Sequence, residues 1–154
     1  MSPRHDAVGV RTEVHAFADL DAATAYACWR LRQEVFVVEQ DCPYPDLDGR
    51  DEEPTTRHVL LRTEPAGTLA GYARVLDDGG VARVGRVVLA RAARGRGLAD
   101  VLMGAALVEV GDRASVLDAQ APLADWYGTH GYVVDGPGFL EDGIPHVPMR
   151  RPAR

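Results

Sequence analysis

Alternating and helical spacings of apolar residues divide the chain into strands and helices. The segment VRTEVHAF alternates apolar and polar residues, as a half-buried strand does. Apolar residues then recur at steps of three and four from Leu20 to Val38, which predicts a helix that Asp19 or Asp21 can cap. The pattern therefore predicts one strand followed by one helix.

A long loop and three strands are expected after this helix. The segment EQDCPYPDLDGRDEEP concentrates proline, glycine and acidic residues, which predicts a surface loop. RHVLLRT, TLAGYARVL and VARVGRVVLA are strand candidates separated by EPAG and DDGG, short turns typical of antiparallel neighbours. We therefore expect an antiparallel meander.

Helices and strands alternate in the remaining chain. Apolar residues, Val108 among them, cover most of the helical circumference from Gly97 to Val110, which predicts a largely buried helix. SVLDAQ predicts a strand, PLADWYGTHG a short helix that stops at Gly131, and YVVDG and HVPM two final strands. The order is βαβββαβαββ, an α+β fold of helices on a mixed sheet.

Length and composition suit one domain over residues 1–154, because 46% of the 154 residues are apolar. The first residues are too charged for a signal peptide, and no apolar run approaches the roughly 20 residues of a membrane span. We therefore expect a cytoplasmic protein that does not contact a membrane.

Charge and residue usage exclude several functions. The formal net charge of −6 provides no overall basic surface for nucleic acid. All 17 basic residues are arginine, so the chain has neither a P-loop lysine nor an amine for a Schiff base. Cys28 and Cys42 lack the spacing of a zinc or redox motif, so we expect free thiols and no metal site.

A corner rich in arginine and glycine joins a strand to a helix in VVLARAARGRGLADVLM. Unpaired backbone amides at the start of a helix attract anions. Gly95 and Gly97 allow positive φ or close backbone approach, and Arg91, Arg94 and Arg96 add charge-assisted donors. The corner is a candidate pyrophosphate site, although a solvated turn would have the same composition.

A glycine-rich corner between a strand and a helix also occurs in dinucleotide-binding folds. In such a fold Asp118 would be the acid that binds the ribose. Asp100, however, occupies the third glycine position of that fingerprint, where its carboxylate would face the phosphates. The preceding strands also form a meander rather than βαβ units. We therefore disfavour a dinucleotide ligand.

The segment RGRGLA, residues 94–99, resembles the Q/R-x-x-G-x-G/A motif of the GNAT superfamily of acyl-CoA N-acyltransferases. LRQEVFVVEQDCPYPDLDGRD, RHVLL, ARVL, GRVV and FLEDGIPHVPM are similar to its ElaA-type branch. The resemblance implies the GNAT fold, with a mixed, mostly antiparallel β-sheet and helices packed on both faces. It also implies acetyl-CoA as the acyl donor and a small-molecule or peptide amine as the acceptor.

The resemblance also assigns the residues that would bind the coenzyme. The backbone of Val87, Val88 and Leu89, on a strand that splays open, would pair with the pantetheine arm and polarise the thioester carbonyl. Gln120 stands where many family members have an asparagine that bonds this arm. The pyrophosphate would be held by the residues of the corner, namely Arg94, Gly95, Arg96, Gly97, Leu98 and Ala99.

Catalysis requires an acid for the departing thiolate and a base for the attacking amine. DWYGTHGY resembles the aromatic-Tyr-x-x-x-Gly-aromatic segment of the family, so Tyr127 is the candidate acid; a core tyrosine bonded to backbone is the alternative. Candidate bases are Glu39, Asp48, Glu141 and His146, and a structural role is open for Glu39 and His146 as well. The acids of LDGRDEEP would favour a cationic amine, but we interpret them as a solvated surface.

Three functions remain open at this point. The first is an N-acetyltransferase that acts by direct attack, and the second is a non-catalytic acyl-CoA-binding sensor. The third follows from RQEVFVVEQ, which is similar to a segment of the acyl-homoserine-lactone synthases. His58 and Arg74 would line the acceptor cleft or stabilise the loop, and the strand HVPM could pair with a second subunit to form a homodimer.

Overall fold

The computed structural model describes residues 9–154. The strands are β1 (Val10–His15), β2 (Arg57–Thr63), β3 (Thr68–Asp78), β4 (Val81–Leu89), β5 (Ser115–Gln120), β6 (Val133–Val134), β7 (Phe139–Glu141) and β8 (Ile144–Arg151). The helices are α1 (Ala22–Arg32), α2 (Leu98–Val110) and α3 (Ala124–Gly128), and α1 continues as a π-helical segment over Gln33–Glu39.

These strands form one sheet in the order β1-β2-β3-β4-β5-β8-β6, with β7 also paired to β8. β4 and β5 are parallel, whereas the other neighbouring strands are antiparallel. The sheet is therefore mixed and mostly antiparallel, and the meander of β2, β3 and β4 is confirmed.

Helices cover both faces of the sheet, because successive strand residues point to opposite sides. On one face, α1 and the π segment bury Cys28, Leu31 and Val35 against Leu60, Tyr72 and Val88. On the other face, the α2 residues Leu102, Met103 and Ala106 pack against Val59, Leu61 and Ala73. Each of these side chains is less than 9% exposed, so both layers contribute to the core.

The first helix begins where its cap predicts and ends in an unusual geometry. The Asp21 carboxylate accepts a hydrogen bond from the Thr24 amide at 2.7 Å, which satisfies one of the free amides of the first turn. The helix then extends to Glu39 as expected, but its last seven residues are π-helical. The amide of Gln40 donates to the carbonyl of Val35 at 3.0 Å, five residues back.

The carboxyl-terminal strands differ from the prediction of two. Phe139–Glu141 forms the additional strand β7, which turns through Asp142 and Gly143 into β8. β8 also pairs with β5 along Ser115–Gln120 and with β6 at Arg150 and Met149. The expectation that HVPM pairs with a second subunit is therefore wrong, because β8 has neighbouring strands on both sides.

Two further observations concern the helices. Val108 is 64% exposed on the side of α2 that faces away from the sheet, so its predicted burial is wrong. The rest of the helix is largely buried, as expected. Within residues 9–154, no helix combines the length and apolar character needed to cross a membrane.

Candidate active site

A cleft opens in the sheet where β4 and β5 diverge. Their parallel pairing is confined to Ala82 with Ser115 and Arg83 with Val116, and the strands separate beyond these residues. A cavity of about 730 Å³ fills the opening between β4, β5, the π segment and the β7–β8 hairpin. Ten of the residues predicted for coenzyme binding or catalysis line it: Glu39, Asp48, Val87, Val88, Leu89, Arg94, Gln120, Tyr127, Glu141 and His146.

A β-bulge in β4 accompanies this divergence. Tyr72 of β3 lies opposite Val88, whereas Arg74 lies opposite Gly85, so β4 contains one residue more than β3 between these pairs. Arg86, inside the bulge, adopts a φ of +54°. A bulge bends and twists its strand, which leaves the backbone of residues 87–89 beside the cleft without a partner on β5.

The corner before α2 has the geometry of an anion site. Gly95 and Gly97 have φ values of +74° and +73°, and Gly97 is the N-cap of α2. No side chain caps the helix, and a Cβ atom on either glycine would meet nothing within 4 Å, so the corner is open to a ligand. Arg96 is exposed and forms no ion pair within residues 9–154, whereas the Leu98 side chain packs in the core.

Arg94 and Glu39, predicted separately for coenzyme binding and for base catalysis, form an ion pair. Arg94 Nη1 and Nη2 donate to the two carboxylate oxygens of Glu39 at 2.7 and 3.0 Å. Arg94 Nη2 also donates to the carbonyl of Leu89 at 3.2 Å. The hydrogen bonds from Arg94 lower the pKa of Glu39, so this carboxylate is a weak base.

Asp100, in the first turn of α2 beside the corner, forms hydrogen bonds with two residues elsewhere in the chain. Its carboxylate accepts hydrogen bonds from Trp126 Nε1 and from His130 Nε2, both at 2.9 Å. These bonds lower the pKa of Asp100 and join the first turn of α2 to α3. The two helices that carry the corner and Tyr127 are thereby held together.

Tyr127 has a buried ring and a free hydroxyl. The residue is 7% exposed and packs edge-on against Tyr132, with ring centroids 6.2 Å apart. Burial raises the pKa of Tyr127, so the phenol keeps its proton at neutral pH. Within the described residues its hydroxyl forms no hydrogen bond, whereas the Tyr132 hydroxyl contacts Ser115 Oγ at 2.7 Å. The alternative of a tyrosine bonded to backbone is therefore wrong for Tyr127.

His146 and Gln120 face each other across the ladder between β5 and β8. His146 Nδ1 lies 2.7 Å from the carbonyl of Ile144, which can only accept, so in neutral His146 the proton resides on Nδ1 and Nε2 is the basic nitrogen. The imidazole stacks on Phe139, and Nε2 lies 3.7 Å from Glu141 Oε2. Gln120 Nε2 donates to Gln40 Oε1 at 3.2 Å across the cleft.

The expectation of a solvated surface for LDGRDEEP is wrong at one position, because two acids of the loop, Asp46 just before this segment and Asp51 within it, are buried in ion pairs. They are 7% and 4% exposed. Arg32, fully buried, donates to Asp46 at 2.9 Å and to Asp51 at 2.7 Å. Arg74 donates to Asp48 at 2.6 Å and to Asp51 at 3.1 Å. The pKa of Asp48 is lowered because the Arg74 hydrogen bonds outweigh the opposite effect of its burial. Asp48 is therefore a poor candidate base.

His58 and Arg74 both serve to hold this loop. His58 Nε2 lies 3.0 Å from the carbonyl of Asp51, and its Nδ1 lies 2.6 Å from the Tyr72 hydroxyl. Arg74 also lines the cleft. Sequence reasoning missed Arg32 and Gln40 as contributors to this region; the helical spacing of Arg32 with the buried Cys28 was the available signal for Arg32.

Neither cysteine has the lowered pKa that a nucleophilic thiol requires. Cys28 is buried in the core, and burial raises its pKa to about 12. Cys42 lines the cleft, but burial and the neighbouring acids Asp142 and Asp41 raise the pKa of its thiol as well. Within residues 9–154 no group of three or more histidine, cysteine or acidic side chains is arranged to hold a metal ion.

Comparison with known proteins agrees with this geometry. Residues 31–152 match the acetyltransferase (GNAT) domain family. The UPF0039 protein Rv2851c of Mycobacterium tuberculosis is 53% identical over 87% of this chain and 88% of its own length. Protein ElaA of Escherichia coli is 38% identical over 87% of this chain and 91% of its own length.

Solved structures agree as well. The crystal structure of an acyl-CoA N-acyltransferase from Pseudomonas aeruginosa is 42% identical, with a TM-score of 0.86 over 92% of this chain and 99% of that chain. A CoA-dependent acyl-homoserine lactone synthase, BjaI, is only 16% identical and shares the fold alone, with a TM-score of 0.75. The fold, the cleft and the sequence matches lead to one conclusion: the chain belongs to the GNAT family of acyl-CoA N-acyltransferases, with homologues of the ElaA type.

Proposed function

We propose that the protein transfers an acetyl group from acetyl-CoA to a primary amine by direct attack, without a covalent enzyme intermediate. One observation carries this proposal: the free Tyr127 hydroxyl and the basic Nε2 of His146 line the same cleft. A general acid and a general base are the two groups that aminolysis of a thioester requires. The raised thiol pKa of Cys42 further supports direct attack.

The donor would bind along the opening from the corner to the cleft. The amides at the uncapped start of α2 would hold the pyrophosphate, with Arg94, Gly95, Arg96, Gly97, Leu98 and Ala99 around it. The backbone of Val87, Val88 and Leu89, which has no partner on β5, would pair with the pantetheine arm, and an amide at this edge would polarise the thioester carbonyl. Gln120 would exchange its bond to Gln40 for one to the same arm.

The acceptor amine would enter beside the β7–β8 hairpin. His146 Nε2 would accept a proton from the ammonium, and the neutral nitrogen would then form a bond to the thioester carbon. As the carbon–sulfur bond breaks, Tyr127 would give its proton to the thiolate, and the tyrosinate would recover a proton from the attacking nitrogen, which must lose its second proton to become an amide. His146 would release the first proton to solvent. The products are an acetylated amine and coenzyme A. Glu39, bound to Arg94, would compete with the pyrophosphate for this arginine rather than take part in proton transfer.

Thermal unfolding with acetyl-CoA, and with NAD as the control ligand, tests donor binding. A ligand at about 100 times its Kd adds about 2.7 kcal/mol to the free energy of unfolding. We expect acetyl-CoA to raise the Tm and NAD to leave it unchanged. Equal effects of the two ligands, or no effect of acetyl-CoA, would contradict the proposal.

A further inference from the structure

Two arginines lie side by side at the β3–β4 wall of the cleft and share one carboxylate. Arg74 Nη2 donates to Asp48 Oδ2 at 2.6 Å, and Arg86 Nη2 donates to the same oxygen at 3.4 Å. All three residues line the cavity. Two guanidinium groups therefore flank one carboxylate oxygen inside the cleft, which is an arrangement that binds carboxylates strongly.

The other acids that pair with these arginines lie outside the cavity. Arg74 donates to Asp51 at 3.1 Å, and Arg86 Nε lies 2.8 Å from Asp46 Oδ1. Asp46 and Asp51 are 7% and 4% exposed, and neither lines the cleft. Apart from Asp48, this part of the wall therefore presents guanidinium groups to a ligand rather than carboxylates.

Each of the two arginines has a buried Nε atom that forms no hydrogen bond within residues 9–154. Arg74 is 4% exposed, and its Nη atoms donate to Asp48 and Asp51 while Nε has no acceptor. The N–H of Arg86 Nε is not directed at the nearby Asp46 oxygen, so that contact is electrostatic only. A buried donor without an acceptor is unfavourable, so a further carboxylate oxygen would gain most at these two atoms.

Gly85 leaves room for such a carboxylate. It lies opposite Arg74 in the ladder between β3 and β4, and it directly precedes Arg86. A Cβ atom at Gly85 would meet nothing within 4 Å, and the residue lines the cavity. Open space therefore adjoins both arginines. A small shift of the Arg74 guanidinium would turn Nε toward a ligand there, and such side-chain changes are common on binding.

Arg86 is also held next to the position of the reacting group. Its guanidinium lies over the Tyr44 ring, 5.5 Å from the centroid, and Nη2 donates to the carbonyl of Asp46 at 3.1 Å. The β-bulge gives Arg86 a φ of +54° and places it directly before Val87, where the strand edge assigned to the pantetheine arm begins. The arginine pair is therefore beside the end of the donor that carries the acetyl group.

We propose that the acceptor amine carries a carboxylate, which binds Arg74 and Arg86 in the space beside Gly85. The amine end then lies at His146, where Glu141 Oε2 is 3.7 Å from Nε2. This inference rests on the proposed function and specifies its substrate class as amino acids. A carboxylate matches the planar edge of a guanidinium group, whereas a second ammonium group would be repelled by it.

Matched pairs of acceptors test the inference, because the two members of a pair differ only in the group at the far end. The amino acids are glycine, 3-aminopropanoate, 4-aminobutanoate and 6-aminohexanoate, and each is compared with the aminoalcohol of the same chain length. At the length that spans the cleft, we expect kcat/KM for acetyl transfer to be about tenfold higher for the amino acid.

Two variants identify the residues responsible. Arg86→Gln removes one guanidinium group, while Arg32 continues to bind Asp46. Gly85→Val keeps both arginines but fills the space beside them. Each variant is expected to reduce the ratio of kcat/KM for the amino acid to that for the aminoalcohol to less than half. The ratio removes effects on proton transfer, because both acceptors depend on the same base.

Arg113→Gln is the matched control for the loss of an arginine. Arg113 lies 3.6 Å from Asp77 and donates to the carbonyl of Glu109 at 2.8 Å, so it also combines an acid with a backbone carbonyl. It does not line the cleft. This variant removes the same formal charge and should leave the ratio unchanged.

Calorimetric binding of the acceptors to the protein with coenzyme A separates this inference from the proposed function. If amines are acetylated with no preference for the amino acid at any length, or if Arg86→Gln or Gly85→Val keeps the preference, the inference is overturned and the acetyltransferase function stands. If no compound is acetylated but an amino acid binds more tightly than its aminoalcohol, and Arg86→Gln weakens this binding, the carboxylate site is upheld and the function fails. Without turnover, binding that does not favour the amino acids, binding that Arg86→Gln does not weaken, or binding of none overturns the inference.

Discussion

Arg94 links two parts of the cleft, because its Nη1 and Nη2 atoms donate to the two carboxylate oxygens of Glu39 at 2.7 and 3.0 Å. Glu39 ends the π segment, whereas Arg94 begins the corner that leads into α2. The arginine assigned to the pyrophosphate is thus engaged by a carboxylate when the protein is free. A phosphate would compete with Glu39 for this guanidinium.

Glu39→Gln should therefore strengthen coenzyme A binding. An exposed ion pair contributes ~0.2–1 kcal/mol, so release of Arg94 lowers the Kd by up to about fivefold. Isothermal titration calorimetry measures this effect. Glu34→Gln, which breaks the exposed pair with Arg30 on the preceding turn, is the matched control and should leave the Kd unchanged. Weaker binding by Glu39→Gln would contradict this role of the pair.

Tyr127→Phe should abolish most of the turnover and preserve donor binding. General acid catalysis contributes about 10²–10⁴ in rate, and the ring that packs against Tyr132 is kept. We expect kcat to fall by about that factor with little change in the Kd of coenzyme A. Tyr132→Phe removes a hydroxyl that bonds Ser115 outside the cleft, so it should lower the Tm but spare kcat. Equal losses of kcat in both variants would indicate a structural role for Tyr127.

Arg32→Met should be strongly destabilising. Arg32 is fully buried and binds Asp46 and Asp51, and removal of one partner of a buried pair leaves uncompensated charge, at a cost of about 3–5 kcal/mol. Denaturant unfolding measures the change. Arg30→Met, two residues earlier on the same helix, loses only an exposed pair and should cost less than about 1 kcal/mol. Similar losses in the two variants would show that the buried network contributes little.

Acid should weaken the fold partly through Glu13. Its burial raises the pKa, but hydrogen bonds from Arg62, His15 and Arg11 outweigh this effect and lower the pKa from 4.5 to about 2. The ionised carboxylate thus stabilises the fold fully above pH 4.5, and this contribution is lost as the pH falls toward about 2. Between these values the native protein should lose more unfolding free energy than Glu13→Gln. Parallel stability curves for the two proteins would exclude this contribution.

Local signals predicted the elements that position the donor site. The corner could be predicted from the sequence, because Gly95 and Gly97 stand directly before an apolar helical pattern, and both adopt the positive φ that glycine favours. Asp21 could also be predicted as a cap, because its carboxylate accepts a hydrogen bond from a free amide of the first turn. The strand β7 was missed because it has three exposed residues and is defined by its pairing with β8.

Contacts between residues far apart in the sequence could not be predicted from the sequence. Asp46 and Asp51 look like solvent-exposed acids in their own segment, and their burial is set by Arg32 on a separate helix. The ion pair of Glu39 with Arg94 likewise joins residues 55 positions apart. Local composition predicts the charge of such residues, but only the tertiary structure determines which partner neutralises it.

Transfer of a deuterium-labelled acetyl group from acetyl-CoA to an amine, followed by mass spectrometry, tests the proposed function most directly. With a mixture of primary amines, we expect a labelled amide in an amount equal to the coenzyme A released, and its loss in Tyr127→Phe. Labelled acetate without any acetylated amine, or acetyl-CoA binding without release of coenzyme A, would contradict the proposed acetyltransferase.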